Sequence, residues 1–401
     1  MIIAEPDERI EMVGKSYRLY EQAGVTLLEL LVAVAASIII ITAGFSTLTN
    51  VDRAARANSQ TVDTQQNGRT AMEIISRDLK VAGFGMIGPV GGCVSGVTAA
   101  AIVPSDQNSA GPTTAVNDIG PDRISMVLPL SSTVAPLWTL SAAVTGGNQI
   151  TLQPAVGAAP TSVGDMKTKN GGSLLNATIS IGGAMTATVT ANPANSATAL
   201  TIGTNIVPPM SFPAGTTVYL LQCVTYQVIT PPDNNNLCGG NAPCLVRGVV
   251  AGNNCDIAGS PCSVVVDGIE DLQFAYGCDG CNPAVNGGTP DRIIDDQNGS
   301  NSFDPADLLS NYGALAAGLD PTTIRLAQVS IVSRQTTPDQ GLGEKAQSMT
   351  ATSGPLVVAD HNHALGIFGT AASYNVGTYY KYRRRLLVRT VETRNIGLPL
   401  L

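Results

Sequence analysis

Apolar residues dominate the chain from Val25 to Leu48, and Glu29 is the one charged residue among them. A membrane-spanning helix needs about 20 mainly apolar residues, so residues 25–48 are predicted to cross a membrane. Beyond this segment, apolar residues recur every three or four positions, as on one face of a helix. They are Leu48, Val51, Ala55, Val62, Met72, Ile75 and Leu79.

The same helix is predicted to continue to about residue 82. No proline interrupts residues 25–80, and Gly83 and Gly85 follow as breakers. From about residue 90 the pattern changes to short runs rich in β-branched residues and separated by turn residues, which predicts strands. Those runs are 123–130, 148–156, 176–191, 216–229, 244–250, 263–277, 323–334 and 379–395. Long helical patterns do not separate them, so the sequence predicts an α+β fold with antiparallel sheet.

Composition agrees with a turn-rich protein outside the cytoplasm. Charged residues make up 13% of the chain and aromatic residues 4%, while glycine (42) and proline (24) are plentiful. The net charge is −8, which gives a nucleic-acid partner no general electrostatic support. The basic aromatic run around Arg383–Arg385 is accordingly interpreted as an edge strand whose charges block aberrant pairing.

Eight cysteines indicate disulfides formed in an oxidising compartment. They are Cys93, Cys223, Cys238, Cys244, Cys255, Cys262, Cys278 and Cys281. Eight cysteines allow 105 connectivities, and the sequence selects none of them. Zinc bound by thiolates is the alternative, but only Cys278 and Cys281 have the C-x₂-C spacing that marks such sites.

The start of the apolar segment resembles the leader junction of type IV pilins and of type II secretion pseudopilins. The residues that carry the resemblance are Gly24-Val25-Thr26-Leu27-Leu28-Glu29. It implies that residues 1–24 are a leader, that a prepilin peptidase cuts between Gly24 and Val25, and that Val25 becomes N-methylated. The family usually has phenylalanine at the Val25 position. Met12 is an alternative start that would leave a leader with two bases and one acid.

Glu29 has a physical explanation in that family. A charge inside hydrocarbon is costly and normally has a partner. Cleavage creates an ammonium at Val25, and in pilin filaments this glutamate is thought to meet the amino terminus of a neighbouring subunit. Glu29 would then set the register of assembly. The alternative is a glutamate at a helix end that reaches the headgroups.

Two further stretches resemble the PilW family of minor pilins and the related J-type pseudopilins. They are "RTAMEIISRDLKVAGFG" (69–85) and "VVDGIEDLQFAYGCD" (265–279). The resemblance implies a pilin-like fold: a spine helix, 25–82, packed on a β-rich head, 83–401. Within the head, residues from about 93 to 222 are interpreted as a large β-rich insertion and residues 223–281 as a cysteine-rich region.

The function implied is that of a minor pilin in the priming, assembly or tip complex of a type IV pilus, with a possible contribution to adhesion or motility. Its implied partners are the prepilin peptidase, other minor pilins, the major pilin and the inner-membrane assembly platform. The precursor would span the bacterial inner membrane once, with a periplasmic head that later reaches the pilus or cell surface. A J-type pseudopilin, a tip adhesin and a membrane-anchored enzyme are the alternatives.

The chain carries little that indicates chemistry of its own. No nucleophile elbow, P-loop or H-E-x-x-H motif occurs, so we predict neither an enzyme nor a cofactor. One loop is rich in oxygen ligands that calcium prefers, although a solvated turn is the favoured interpretation of it. The residues concerned are Asp291, Asp295, Asp296, Asn298 and Asp304.

Overall fold

The structure is a computed structural model of the chain. It describes residues 25–87, 93, 100–106, 121–130, 138–154, 161–232, 236–239, 242–249, 255–257, 259–281, 286–310, 321–338, 357–358, 361–362 and 382–395. Residues 1–56 and 57–401 form two compact units. The predicted leader, with Gly24, lies outside the described residues.

A single helix, α1, runs from Leu27 to Val81. In its first part the apolar side chains face outward: Ile39, Ile40 and Phe45 are 69%, 70% and 66% exposed. The most apolar part of α1 is not buried. By length and composition, the helix is long and apolar enough to cross a membrane. The predicted long apolar helix is confirmed.

The last turns of α1 belong to the core of the second unit. Met72, Ile75 and Leu79 of the predicted apolar face are buried there. The prediction that Val62 lies on the same face is wrong, because its side chain is 51% exposed. Gly68 faces the core instead. The small residue matters, since a Cβ at Gly68 would lie 2.8 Å from a methyl carbon of Leu387.

Fifteen strands, one further α-helix and three short 3-10 helices lie in the described part of the chain. The strands are β1 (Ile102–Asp106), β2 (Asp122–Leu130), β3 (Gly147–Thr151), β4 (Thr178–Ile181), β5 (Met185–Thr188), β6 (Ala199–Ile206), β7 (Val218–Ile229), β8 (Cys244–Gly248), β9 (Cys262–Asp267), β10 (Ile269–Cys278), β11 (Leu309–Ser310), β12 (Ile324–Arg334), β13 (Val357–Val358), β14 (His361–Asn362) and β15 (Arg384–Glu392). The second helix, α2, is Ser162–Lys169.

Two antiparallel sheets enclose the end of α1. The larger has the order β1-β2-β7-β4-β5, and β8 joins the far half of β7 and pairs with β9. The smaller has the order β11-β10-β12-β15. One hydrophobic core joins α1 to both sheets, with Tyr226 from β7, Phe274 from β10 and Ile331 from β12 among its members. The predicted α+β class with antiparallel sheet is therefore confirmed.

A second core lies among the residues predicted to form the insertion. It gathers around Trp138, with side chains from β3 to β6 and from α2. The indole N–H of Trp138 donates to Asp165 on α2 at 3.1 Å. The same stretch of sequence also supplies β2 to the sheet that encloses α1. Residues 93–222 thus contribute to two cores.

Differences from the predicted elements follow from local chemistry. The run 263–277 is two strands, β9 and β10, because Gly268 between them has a φ of 74° and turns the chain. The strands β1, β6, β11, β13 and β14 and the helix α2 lie outside the predicted runs. Each is between two and eight residues long, so its hydrophobic pattern is weak.

Substituting Gly268 by alanine should destabilise the head by about 1–3 kcal/mol. A Cβ there would lie 2.7 Å from the backbone carbonyl oxygen of Arg334, which is held in place because the Arg334 N–H donates to the Gly268 carbonyl at 2.7 Å. The midpoint of thermal unfolding of the full chain in detergent measures the effect. Gly299→Ala is the matched control, since its φ is 75° but a Cβ meets nothing within 4 Å. Equal shifts for the two variants would contradict the steric explanation.

Candidate functional site

The first turn of α1 is closed by a reciprocal pair of hydrogen bonds. The Glu29 N–H donates to the Thr26 hydroxyl oxygen at 3.3 Å, and the Thr26 N–H donates to Glu29 Oε2 at 3.0 Å. The Thr26 hydroxyl also donates to the same Oε2 at 3.0 Å. This is a capping box, which satisfies backbone donors that a helix start leaves open.

The capping box was missed at the level of the sequence, although the Thr-x-x-Glu spacing of residues 26–29 is its usual sign. It gives Glu29 a local role in starting the helix. Oε2 takes both hydrogen bonds, and no residue that the structure describes donates to Oε1. Val25, the first described residue, is 72% exposed.

All eight cysteines are joined in four disulfides. Cys93 pairs with Cys223 over 130 residues, while the other bonds close loops within the cysteine-rich region. Those bonds are Cys238–Cys244, Cys255–Cys262 and Cys278–Cys281, with sequence separations of 6, 7 and 3. The prediction of disulfides is confirmed, and the structure supplies the connectivity that the sequence left open.

The acidic loop is folded around its own carboxylates. Asp296 accepts backbone N–H bonds from Gly299 at 2.7 Å and Asn301 at 2.6 Å. Desolvation acts to raise the pKa of Asp296, but these N–H groups, Asn301 first, outweigh it and hold the pKa below its usual value. The Asn298 side-chain amide donates to Asp304 at 3.0 Å and is the main cause of the lowered pKa of Asp304.

The five candidate calcium ligands are therefore only partly brought together. Asp296, Asn298 and Asp304 form one hydrogen-bonded group. Asp295 is buried and accepts the Gly280 N–H at 3.1 Å, and Asp291 accepts the Ile293 N–H at 2.9 Å. In this structure these carboxylates bind backbone donors and hold the loop in shape.

A buried carboxylate fastens the end of α1 to the larger sheet. Asp78 is 5% exposed and accepts the Tyr226 hydroxyl at 2.6 Å. Burial, followed by the negative charge of Asp78, raises the pKa of Tyr226 well above its usual value, so this hydroxyl stays a donor. Arg77 and Arg247 approach the same carboxylate at 3.3 and 3.8 Å. One sign of this buried carboxylate was visible in the sequence, because Asp78 lies on the same helix face as the apolar residues Ile75 and Leu79.

A second ionic group locks the smaller sheet. Glu270 on β10 accepts from Arg384 on β15 at 2.8 Å and from Arg334 on β12 at 3.4 Å. The Arg334 guanidinium also lies 4.3 Å from the centre of the Tyr382 ring. The basic run begins β15, which is the edge strand of the smaller sheet. The side chain of Arg384 is only 6% exposed and pairs with Glu270. The neighbouring Tyr379, Tyr380 and Lys381 lie outside the described residues.

Residues 229–395 match the model of a family described as Type IV Pilus-assembly protein W, PilW. The resemblance to PilW is confirmed. The match begins at the last residue of β7 and includes the disulfide-rich strands and the whole smaller sheet, with Glu270, Arg334 and Arg384. The matched family is described by its role in type IV pilus assembly, and the match covers less than half of the chain.

The PilW match does not include α1 or the motif at residues 24–29. The exposed apolar helix fits membrane association, and PilW is a pilus-assembly family and not a known enzyme family. No curated protein matches the chain. No solved structure matches it either.

Proposed function

We propose that the chain is a minor pilin, which takes part in the priming, assembly or tip complex of a type IV pilus. The observation that carries the proposal is one continuous helix, α1, whose first part is exposed and apolar and whose last turns lie in the core of a PilW-like head. Such a helix can hold a precursor in a membrane and later pack among the helices of neighbouring subunits.

The precursor is processed between Gly24 and Val25 by a prepilin peptidase and N-methylated at Val25. Before assembly it spans the inner membrane once through residues 25–48, and its head lies in the periplasm. Disulfides in the head support an oxidising compartment. Its partners are other minor pilins, the major pilin and the inner-membrane assembly platform.

Glu29 pairs with the amino-terminal ammonium of an adjoining subunit. The capping box supports this role because it fixes the carboxylate at the first turn of α1 while Oε1 receives no bond from the described residues. In a medium of low dielectric, an ion pair costs much less than either charge alone. Methylation keeps the positive charge, so it leaves the pairing intact.

A tip-exposed binding module is a second proposal, compatible with the first. The second core, around Trp138, is built from residues between 138 and 220, outside the PilW match, and adjoins the larger sheet through β4, β5 and β7. Structure that lies outside the family match is available for contacts specific to this protein. A J-type pseudopilin remains the alternative assembly, distinguished by whether the chain is found in pili or in a secretion system.

The mature amino terminus tests the main proposal. Mass spectrometry of the chain from membranes or sheared pili should find N-methylated Val25 as the first residue. The reason is that the junction of glycine, apolar residues and Glu29 is the substrate that prepilin peptidases recognise. Gly24→Ala, which alters the residue before the cut, should leave the leader attached. A mature chain that begins elsewhere, or an intact leader in the wild type, would contradict the proposal.

A further inference from the structure

The two sulfurs of one disulfide and a neighbouring carboxylate are atoms that could together bind a metal ion. The Sγ atoms of Cys278 and Cys281 and a carboxylate oxygen of Asp295 all lie within 4.8 Å of one another. Among the residues that the structure describes, this is the one such group of three potential ligands. The two sulfurs have the C-x₂-C spacing that is typical of zinc sites.

Backbone hydrogen bonds, in addition to the sulfur–sulfur bond, hold Asp295 beside Cys278 and Gly280. The N–H of Asp295 donates to the Cys278 carbonyl at 2.8 Å, and Asp295 accepts the Gly280 N–H at 3.1 Å. Gly280 has a φ of 87°, which lets the chain turn back between the two cysteines. Asp279 adds a further anchor, since it accepts the Asp291 N–H at 2.8 Å.

Gln297 completes the surroundings of the sulfurs. Its side-chain Nε2 lies 3.7 Å from Cys278 Sγ and 3.4 Å from Cys281 Sγ. An amide N–H₂ in this place can donate to thiolates, which is how outer residues orient and tune metal ligands. Its own backbone N–H donates to the buried Asp307 at 2.8 Å, so its position is fixed.

We propose that the chain with these two cysteines reduced binds one thiophilic divalent cation of the zinc class through Cys278, Cys281 and Asp295. A tetrahedral site needs bonds of about 2.3 Å to sulfur and about 2.0–2.2 Å to carboxylate oxygen, so the two sulfurs move apart from their bonding distance when the cation enters, and a water molecule takes the fourth position. Binding displaces one proton from each thiol. The carboxylate has two oxygens with several lone pairs, so it can bind the cation and keep the Gly280 hydrogen bond.

The disulfide and the metal site are alternative states of the same two sulfurs. Newly made chain carries thiols, so the cation needs no reductant to enter before oxidation. The Cys278–Cys281 bond has a sequence separation of only 3, the smallest of the four. A cross-link over so short a loop restricts the unfolded chain least, so the head depends on it least for folding. Cys281 is partly exposed, which gives the cation access.

Cobalt(II) is the probe, because thiolate ligation to it produces a strong charge-transfer absorption. The full chain in detergent is reduced under anaerobic conditions, and thiols are counted by mass spectrometry to follow which bonds have opened. We expect one equivalent of Co²⁺ with a thiolate band that Zn²⁺ abolishes. Cys281→Ser should remove the band, and Asp295→Asn should weaken binding by about 10–100-fold. Cys262→Ser is the matched control, because it removes the Cys255–Cys262 disulfide and leaves Cys278 and Cys281 unchanged. This variant should bind Co²⁺ like the wild type.

The outcome of the Co²⁺ experiment does not depend on the proposed role in pilus assembly. That role is tested separately, by mass spectrometry of the mature amino terminus. Oxidised wild-type chain, which keeps its fold, should show no band, and circular dichroism should show that the reduced chain keeps its secondary structure. The proposal is overturned by an absent band in the reduced wild type, by an undiminished band in Cys281→Ser, or by binding that occurs only after unfolding.

Discussion

Glu29→Gln should be processed at Gly24–Val25 like the wild type and yet enter pili at least about tenfold less efficiently. Glutamine can take the place of glutamate in a capping box, so the first turn of α1 should stay intact. Only the charge is lost. An ammonium left without its carboxylate in hydrocarbon costs at least about 2.5 kcal/mol on insertion scales, which exceeds a factor of ten. The ratio of the variant in sheared pili to that in membranes measures the effect.

The matched control for this charge is Thr26→Val. This change removes the hydroxyl that bonds to the Glu29 N–H, at 3.3 Å, but keeps the carboxylate. Loss of an N-cap side chain typically costs about 1 kcal/mol of helix stability, so incorporation should change little where a membrane already supports the helix. Normal incorporation of Glu29→Gln would reject the ion pair. Equal defects in both variants would assign Glu29 to the helix cap alone.

Glu270→Gln should lower the free energy of unfolding of the head by about 3–5 kcal/mol, as expected when one partner of a buried ion pair is removed. The side chains of Arg384 and Arg334 are only 6% and 13% exposed. Both bond to Glu270, so the substitution leaves two guanidinium groups largely buried without this acid. Because the three residues lie on β10, β12 and β15, the loss should fall on the smaller sheet. Denaturant titration of the full chain in detergent measures it.

Asp52→Asn provides the comparison for a charge that is not buried. Asp52 and Arg56 form an ion pair at 2.9 Å on α1, with side chains 60% and 71% exposed. An exposed pair of this kind contributes about 0.3–0.5 kcal/mol, so its loss should scarcely move the unfolding midpoint. A Glu270→Gln variant as stable as Asp52→Asn would show that the buried group does not hold the sheet together.

The long helix and most strands could be predicted because their signals are local. The apolar run after Val25 and the absence of proline to residue 80 indicate α1, and the valine- and isoleucine-rich runs indicate β7, β9 and β12. α2 escaped because eight residues with two lysines and one aspartate carry no clear helical period. Gly268 divides the run 263–277, which was predicted as one strand, and its backbone conformation shows where the break falls.

The contacts that define the site could not be predicted, because they join residues distant in sequence. Tyr226 lies 148 positions from Asp78, and Arg384 lies 114 positions from Glu270. A hydrophobic period indicates which face is buried but not which side chain on another element meets it. The capping box differs, since Thr26 and Glu29 are three positions apart and their spacing was visible in the sequence.

The burial of the end of α1 determines which soluble fragments of this protein can be made. Ala71, Ile75 and Leu79 have no exposed surface in the second unit. An expression fragment that starts after residue 82 would lack them and leave the two sheets with an open apolar cleft, which favours aggregation. A fragment that starts at Ala57 keeps these side chains and omits the membrane segment, and is therefore the better choice for crystallisation.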